Sequence, residues 1–423
     1  MNIPSHTAAW VALSLALGPH SRRFPLLYAH FGSPEAILTA DPAEIRAILP
    51  DIGAGALASL CYERQADEVA RILYYCGRTG VTILTPDGEE YPKSLLTITD
   101  PPVVLYCRGK LPAFGKHPFV GVVGTRTMDA YGERVAYKIS FELAAAGAVL
   151  VSGMADGIDG VCAAAALDAD APTIAVLGCG IDQVYPRHHQ RLFSEIAEFG
   201  ALLTEYAPGT QPYQHHFPAR NRLISALSEA VVVIQGDERS GALITARHAL
   251  VQGKSLFAVP GNIDSPDSVG SNLLLRAGAR VVLCAEDVLT HFRFLYREHI
   301  GIRMPAEAMQ YSGVSDEKLR AHGVRPASED TRKKKRRTER APVGESVKEA
   351  SGQVSPSFLA EALASLDAHG REIYALLPDT AFTIDDLASA GIPAGEAVAA
   401  MTLFEILGIV SSHPGGVYQK TAP

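Results

Sequence analysis

The stretch FVGVVGTRTMDAYG (119–132) decides the fold of this 423-residue chain: an apolar run ends at Gly124, and Thr125 and Arg126 follow it. Asp129 then stands where it can cap a helix. A strand that is apolar on both faces and turns through glycine into a helix is typical of a parallel sheet covered by helices. The free N–H groups of the helix start lie beside the Thr125 hydroxyl and the Arg126 guanidinium, and this combination predicts an anion site. An alternative stays open, in which the glycine serves only the turn and the arginine is merely exposed.

The same pattern continues on both sides of this stretch, from about residue 81 to residue 295. The other apolar runs are VTIL (81–84), AVLVSG (148–153), TIAVLG (173–178), ALLTEY (201–206), AVVVIQG (230–236) and SLFAVPG (255–261). Helical stretches separate these runs, so the sequence predicts an α/β fold with a doubly wound, mostly parallel sheet. We place this domain at residues 81–303.

Residues 1–80 predict a small helical domain in front of the sheet. Asp41-Pro42 has the residues of a helix start, with aspartate as the cap and proline in the first turn. LPDIGAGALASL (49–60) resembles the second half of a helix-hairpin-helix. This resemblance indicates a domain of the SAM-like or helix-hairpin-helix type. Because residues 47–62 contain no lysine or arginine, an ordinary turn between packed helices is the favoured interpretation.

Two further segments follow the sheet domain. Residues 304–355, which include RKKKRRTER (332–340), lack apolar periodicity and predict a disordered basic linker. Residues 356–423 predict a winged helix, with a wing that turns at Gly415-Gly416. Its presumed recognition helix, 393–407, has glutamates and no lysine or arginine, so we expect it to contact protein or its own chain.

Composition and charge restrict the class of protein. The net charge of −8 argues against a surface covered in positive charge, so nucleic-acid binding has to be argued from a local site. The six cysteines are scattered without a CxxC pair, which predicts neither a zinc site nor disulfides and favours the reducing cytoplasm. The N-terminal apolar stretch has no basic n-region and is too short to span a bilayer, so no membrane association is predicted.

Two loops after strands contribute further candidate residues. In VSGMADGIDG (151–160), Ser152 and Gly153 stand at the carboxyl end of a strand, where open α/β sheets bind ligands. Asp159 opens the next helix, and helix capping is favoured over a metal or acid–base role. In VLGCGIDQVYPRHHQRL (176–192), Arg187 is a candidate phosphate contact or simply an exposed arginine. The adjacent His188-His189 lack the helical spacing of a metal site, so no zinc is predicted.

The most informative basic residues lie in HHFPARNRLISALS (215–228). Arg220, Asn221 and Arg222 stand at a helix start, where core packing does not explain two guanidiniums and an amide. Such groups suit phosphate oxygens and unstacked bases. Ser240-Gly241 begins another helix after strand 230–236, so it joins the same rim of the sheet.

Several catalytic signatures are absent from the sequence. It contains no Walker A motif, no G-x-S-x-G motif, and no carboxylate pair that stands apart from helix caps. The turn at Gly124 is not a G-x-G-x-x-G fingerprint, so neither a dinucleotide nor any other cofactor is predicted. We therefore expect a binding protein and not an enzyme.

Taken in order, the motifs of residues 81–295 resemble those of the DNA-processing A (DprA/Smf) family. They are YPxxLxxIxDPPxxLYxRG (91–109), VVGTR, VSGxAxGID, AVLGxGxDxxYP, FPxRNRxISxLS, SGxLITAxxA and a closing AVPG…GxN…GA. The sequence departs from the family pattern at Ala163, His189 and Gln235-Gly236, where the family usually has His, Asn and an acidic residue.

The resemblance implies an extended Rossmann-like fold, with a helical N-terminal module and a C-terminal winged helix. It implies a protein that binds single-stranded DNA, forms a homodimer, and loads a RecA-type recombinase on incoming DNA in natural transformation (competence) and recombination. By motif, Arg126 is implied as the central phosphate contact. Ser152-Gly153, Arg187 and Arg220-Asn221-Arg222 are implied as its neighbours.

Two other hypotheses stay open. Related Rossmann-like folds act on nucleotides as phosphoribohydrolases, but VPGNIDSPDSVGSN (259–272) lacks the glutamate of their PGGxGT-type loop. A scaffold is the third hypothesis, in which the winged helix and dimer surface recruit partners and DNA contact is incidental.

Overall fold

A nine-stranded sheet lies at the centre of the computed structural model of the chain. The structure describes residues 5–296, 314–329, 368–390, 392–413 and 417–421, together with the single residues 300, 363 and 366. The strands are β1 (Thr82–Leu84), β2 (Leu105–Gly109), β3 (Phe119–Val123), β4 (Val149–Ser152), β5 (Thr173–Val176), β6 (Ala201–Thr204), β7 (Ala230–Val233), β8 (Ser255–Ala258) and β9 (Arg280–Val281). Their order across the sheet is β1-β2-β6-β5-β4-β3-β7-β8-β9.

The sheet is mostly parallel, which confirms the predicted fold class. All pairs from β6 to β9 are parallel, and only β1 and β2 add antiparallel pairs at one end. The sequence pattern missed β2 and β9, because LYCRG mixes apolar and polar residues and β9 has only two residues. The chain runs outward from β3 to β6 and then returns to β7 on the other side of β3, so the sheet is doubly wound.

Helices fill the N-terminal region, as predicted. They are α1 (His6–Leu17), α2 (Arg23–Phe31), α3 (Pro34–Thr39), α4 (Pro42–Ile48), α5 (Ala54–Ser59) and α6 (Ala66–Thr79). Asp41 caps α4, since its side chain accepts the N–H of Ala43 at 2.7 Å. Residues 49–60 form a turn followed by α5, the arrangement that both interpretations of this stretch require.

Seven helices cover the two faces of the sheet. They are α7 (Ala130–Ala145), α8 (Ile158–Asp168), α9 (Gln190–Phe199), α10 (His216–Leu227), α11 (Gly241–Val251), α12 (Val269–Arg276) and α13 (Ala285–Phe292). Val120 and Val122 of β3 belong to the buried cluster that includes side chains of α7, α8, α9 and α13, whereas Phe119 and Val123 belong to the cluster that includes side chains of α10, α11 and α12. Alternate side chains of a strand point to opposite faces, so both faces of β3 are buried.

Residues 314–329 correct the prediction of a disordered linker over 304–355. They contain α14 (Asp316–Ala321), which Ser315 caps by accepting the N–H of Lys318 at 3.2 Å. Leu319 and Val324 are buried in the same core as α7, α8 and α9. The prediction failed because two apolar side chains suffice to dock a short segment on helices that are distant in sequence. The basic run 332–340 lies outside the described residues.

The C-terminal region is a winged helix, as predicted. Its helices are α15 (Ala368–Leu376), α16 (Ile384–Ser389) and α17 (Ala394–Leu407), and its strands are β10 (Phe382–Thr383), β11 (Val410–His413) and β12 (Val417–Lys420). The turn predicted at Gly415-Gly416 lies outside the described residues. The presumed recognition helix α17 contacts α11 and α12, and Arg247 donates to the carbonyl of Glu405 at 3.4 Å. This helix therefore contacts its own chain, in line with the expectation.

Two smaller predictions concern thiols and membranes. All six cysteines are free thiols. Among the described helices, none combines the length and apolar character needed to cross a membrane. The boundaries 1–80, 81–303 and 356–423 remain proposals.

Candidate functional site

A cleft opens at the carboxyl ends of the parallel strands, where the loops after β3 and β7 lead to opposite faces of the sheet. Its volume of about 490 Å³ lies within the range of ligand-binding pockets. Open α/β sheets bind ligands at such switch points, because helix starts diverge there and leave a crevice. Its lining includes Gly124, Thr125, Arg126, Asp159, Tyr185, Phe217, Arg220, Asn221, Arg239, Ser240 and Gly241.

The loop after β3 is held against the start of α8. The Thr125 hydroxyl accepts the N–H of Thr127 at 3.2 Å, and the Thr125 carbonyl accepts the first N–H of α8 at 3.2 Å. Gly157 has a φ of 78°, and a Cβ there would lie 2.3 Å from that carbonyl oxygen, so the position requires glycine. Arg126 is exposed on this loop, with its guanidinium 5.2 Å from the ring centroid of Phe217.

Arg220 lies beneath the cleft and is almost fully buried. Its guanidinium donates to the carbonyl of Gly153 at 2.9 Å and to the carbonyl of Val176. Burial lowers the pKa of Arg220 to about 10, which the nearby charge of Asp159 opposes, so the guanidinium stays charged at neutral pH. Burial raises the pKa of Asp159, which the charge of Arg220 opposes. The floor of the cleft thus holds a buried guanidinium close to a buried carboxyl group.

The prediction that Asp159 caps α8 is wrong. The residue before α8 is Gly157, which makes no side-chain cap, and Asp159 is already the second helical residue. Its carboxylate accepts the N–H of Gly153 at 3.2 Å, in the loop after β4. Asp159 therefore orders the loop in front of the helix, a contact that sequence spacing does not indicate.

Arg222 does not face the cleft, which corrects the prediction of a phosphate contact. Its guanidinium makes two contacts of 2.7 Å with the two carboxylate oxygens of Glu205, and its Nε lies 2.9 Å from Asp100. Although burial alone would raise the pKa of Glu205, the charge of Arg222 and a hydrogen bond from His20 lower it to about 2. Arg222 is buried and its guanidinium contacts Glu205 and Asp100, so we do not retain it as a DNA contact.

The start of α11 forms the opposite side of the cleft. Ser240 caps this helix by accepting the N–H of Ala242 at 3.3 Å, and Gly241 is exposed. Asn221 donates from Nδ2 to the carbonyl of Gly241 at 3.2 Å, which ties α10 to α11. A helix N-terminus carries partial positive charge, so this side of the cleft favours an anion.

Three other predicted residues lie outside the cleft lining. Ser152 is buried and donates to the carbonyl of Val122 at 2.7 Å, so it holds β4 against β3. Gly153 lies under Arg220, and a Cβ there would come within 2.5 Å of that guanidinium. Arg187 is exposed on a short turn, two residues after Tyr185, and so belongs at most to the outer edge of the site.

Sequence reasoning missed three residues that line the cleft. Arg239 is exposed in the loop before α11, and Tyr185 is 39% exposed with its ring centroid 5.0 Å from that of Phe217. Their residue types could have indicated this site, since aromatic rings beside arginines are the usual surface for nucleic-acid bases. Both rings stand within quoted motifs, but only the fold shows that they meet.

A larger cleft of about 710 Å³ lies at the amino ends of the strands, beside Phe119, Ser228 and Lys254. Parallel sheets bind ligands at their carboxyl ends, where helix starts point toward the crevice. The larger cleft lacks that feature and mixes lysines with glutamates, so we assign the site to the smaller one.

The histidine pair excluded as a zinc site gains a third partner in the fold. One potential ligand atom each from Asp156, His188 and His189 lies within 4.8 Å of the other two. Two adjacent histidines lack the spacing of metal ligands on a helix. A carboxylate from another loop, that of Asp156, completes a group of three potential ligands.

The comparisons with known proteins concern mainly the sheet domain. Residues 82–293 match the family described as DNA recombination-mediator protein A. The chain is 41% identical over 221 residues to the DNA processing protein DprA of Bacillus subtilis, covering 52% of this chain and 74% of that protein. It is 42% identical over 214 residues to Protein Smf of Escherichia coli, covering 50% of this chain and 57% of that protein.

A solved structure supports the same assignment. The X-ray structure of DNA processing protein A from Streptococcus pneumoniae superposes with a TM-score of 0.60 at 30% identity. The match covers 67% of this chain and 97% of that chain.

Proposed function

The chain belongs to the DNA recombination-mediator protein A family, and on that premise we propose that it binds single-stranded DNA in the cleft between the loops after β3 and β7. It acts in DNA processing as a binding protein and has no catalytic step of its own.

The observation that carries this proposal is the position of Arg126. Its exposed guanidinium lies over the ring of Phe217, at a switch point lined by the start of α11 and by the loop that leads into α7. Phosphate oxygens suit the arginine and the helix starts, whereas a base suits the partly exposed ring of Tyr185 beside them. One cleft thus contains groups that can bind the phosphates of a single strand and a ring on which its bases can stack.

The residues of the cleft support binding with little dependence on base sequence. Arg126 and Arg239 supply exposed positive charge, and the buried Arg220 adds positive charge below. Tyr185 offers a partly exposed ring, and stacking on a ring tolerates every base. A duplex keeps its bases stacked inside, so it cannot use this ring, and we expect a preference for the single strand.

The wider role follows from the family resemblance. We infer that the bound strand is passed to a RecA-type recombinase during natural transformation or recombination, and that two copies of the chain form a homodimer. A dimer would join two clefts and raise the affinity through effective concentration. Six free thiols fit action in the reducing cytoplasm.

No observation within the described residues favours the nucleotide-hydrolase alternative. Of the two carboxylates that line the cleft, Asp159 accepts a backbone N–H from Gly153, and Asp237 accepts the N–H of Arg239 at 3.0 Å. Both carboxylates thus have structural contacts, and we pursue the binding function.

Replacing Arg126 by alanine tests the proposal. We expect the affinity for labelled oligo-dT to fall on the order of 10–100-fold, because a charge-assisted hydrogen bond contributes about 1.5–3 kcal/mol. Fluorescence anisotropy across a salt series measures this change. The slope of log K against log salt should become shallower by about 0.7 for each phosphate that the variant no longer neutralises.

Arg71→Ala is the matched control, since Arg71 is an exposed arginine on α6, far from the cleft in sequence, with 74% of its side chain accessible. It should bind oligo-dT as the wild type does. The proposal is contradicted if wild type and Arg126→Ala bind oligo-dT equally well, or if the wild type binds oligo-dT and the matched duplex equally well.

A further inference from the structure

Three side chains that the proposed DNA contacts do not use meet beside the cleft. Asp156 comes from the loop before α8, and His188 and His189 come from the turn before α9. The Nε2 of His188 lies 2.9 Å from a carboxylate oxygen of Asp156. Each of the three offers a ligand atom within 4.8 Å of the others. Two loops of the rim therefore converge on one small group of metal-ligating atoms.

His189 has the arrangement of a metal ligand. Its side chain is completely buried, and its Nδ1 lies 3.1 Å from the carbonyl of Met154. A carbonyl only accepts, so Nδ1 carries the proton and Nε2 carries a lone pair. That Nε2 is buried without a hydrogen-bond partner. Proteins present ligating histidines in this way, with one ring nitrogen held by a backbone carbonyl and the other left for the metal.

The missing partner of the buried Nε2 is a second observation that points to a ligand. A buried acceptor without a partner is rare in folded proteins and calls for a missing donor or ion.

We propose that Asp156, His188 and His189 bind a divalent transition-metal ion of the zinc class. Two imidazoles and one carboxylate are ligands that Zn²⁺ accepts, and imidazole also suits Ni²⁺ and Cu²⁺. Three protein ligands leave a coordination position open to water. The proposal revises the exclusion of zinc from sequence, because the third ligand is supplied by the fold and not by spacing.

The surroundings determine what the ion would do. Arg325 of the segment 314–329 is exposed near His189, and its positive charge opposes cation binding. Solvent screens an exposed charge, so this opposition is weak. The ion would link residues 154–157 to the turn 187–189. This turn follows Tyr185, so a bound ion holds one side of the DNA cleft in place without touching DNA.

Calorimetric titration of the full chain with ZnCl₂ tests the site, and Co²⁺ absorption reports the ligand type. Wild type should bind one ion per chain and gain thermal stability, since binding to the folded state stabilises it. Asp156→Asn and His188→Gln should each weaken Zn²⁺ binding at least about tenfold and reduce the thermal shift. Both residues are partly exposed, at 19% and 25%, so we expect these variants to fold.

His30→Gln is the control, because His30 is a 52% exposed histidine of the helical N-terminal region and stands outside this group. It should bind Zn²⁺ as the wild type does. The proposal is overturned if wild type binds no ion in a fixed ratio, or if Asp156→Asn and His188→Gln bind it as tightly as wild type. DNA binding by Arg126→Ala is measured separately, so failure of one proposal leaves the other intact.

Discussion

Arg220 and Arg222 stand two positions apart on α10 and have different environments. A helix turns about 100° per residue, so their side chains leave it in nearly opposite directions. Arg220 reaches the carboxyl ends of β4 and β5 beneath the cleft, whereas Arg222 reaches Glu205 and Asp100. The motif RNR therefore has one arginine at the site and one that stabilises the core.

Arg222→Met tests the structural role at this scale. We expect the free energy of unfolding in urea to fall by about 3–5 kcal/mol, because the change leaves Glu205 charged and buried without its main partner. The double variant Arg222→Met/Glu205→Leu should recover much of this loss. Unchanged stability of the single variant would contradict the assignment.

Sequence could identify these arginines as a group but not separate them. Glu205 follows β6 and Asp100 precedes β2, so both partners of Arg222 are distant in sequence. Likewise, the local preference of aspartate for helix starts predicts a cap at Asp159, whereas its actual partner, the Gly153 N–H, depends on how two loops meet.

The segment 314–329 makes contacts with distant helices that its own sequence does not indicate. His322 lies between two helices of the sheet domain, with Nδ1 at 2.6 Å from Glu195 and Nε2 at 3.1 Å from Asp168. Both carboxylates accept, so both ring nitrogens donate and the imidazole is protonated. The hydrogen bond with Asp168 and then that with Glu195 raise the pKa of His322 above 6.5.

The contribution of His322 to stability should therefore depend on pH. A raised pKa in the folded state means that the contribution is complete below about pH 6.5 and is lost as pH rises through the folded pKa. The difference in unfolding free energy between wild type and His322→Gln should be largest near pH 6 and shrink toward pH 9. Urea unfolding across this window measures it. A pH-independent difference for His322→Gln would contradict the ion pairs.

Local patterns predicted most elements and missed those that depend on distant packing. The apolar runs gave the buried strands, and the Asp41 and Asp129 caps stand as expected. Strand β2 and helix α14 were missed because their stability comes from pairing with β6 and from burial of Leu319.

The whole molecule brings together loops that are about a hundred residues apart. Because the carboxyl ends of parallel strands share one edge, the sequence could predict that the loops after β3 and β7 meet. It could not predict that the rings of Tyr185 and Phe217 contact each other, since ring contacts depend on the angle between loops.

The C-terminal region sits against the same half of the molecule. Helix α17 contacts α11 and α12, and Arg247 of α11 donates to Glu405 of α17. The helix that would read a major groove thus faces the chain itself. The arrangement favours the cleft, and not the winged helix, as the place where DNA binds.

The most direct test of this account is photo-crosslinking of the full chain to a bromodeoxyuridine-substituted single strand, with the crosslinked peptides mapped by mass spectrometry. The account predicts a crosslink at Tyr185, whose ring is 39% exposed, and a much weaker crosslink in Arg126→Ala. Crosslinks confined to the winged helix, or to the larger cleft beside Phe119, would contradict it.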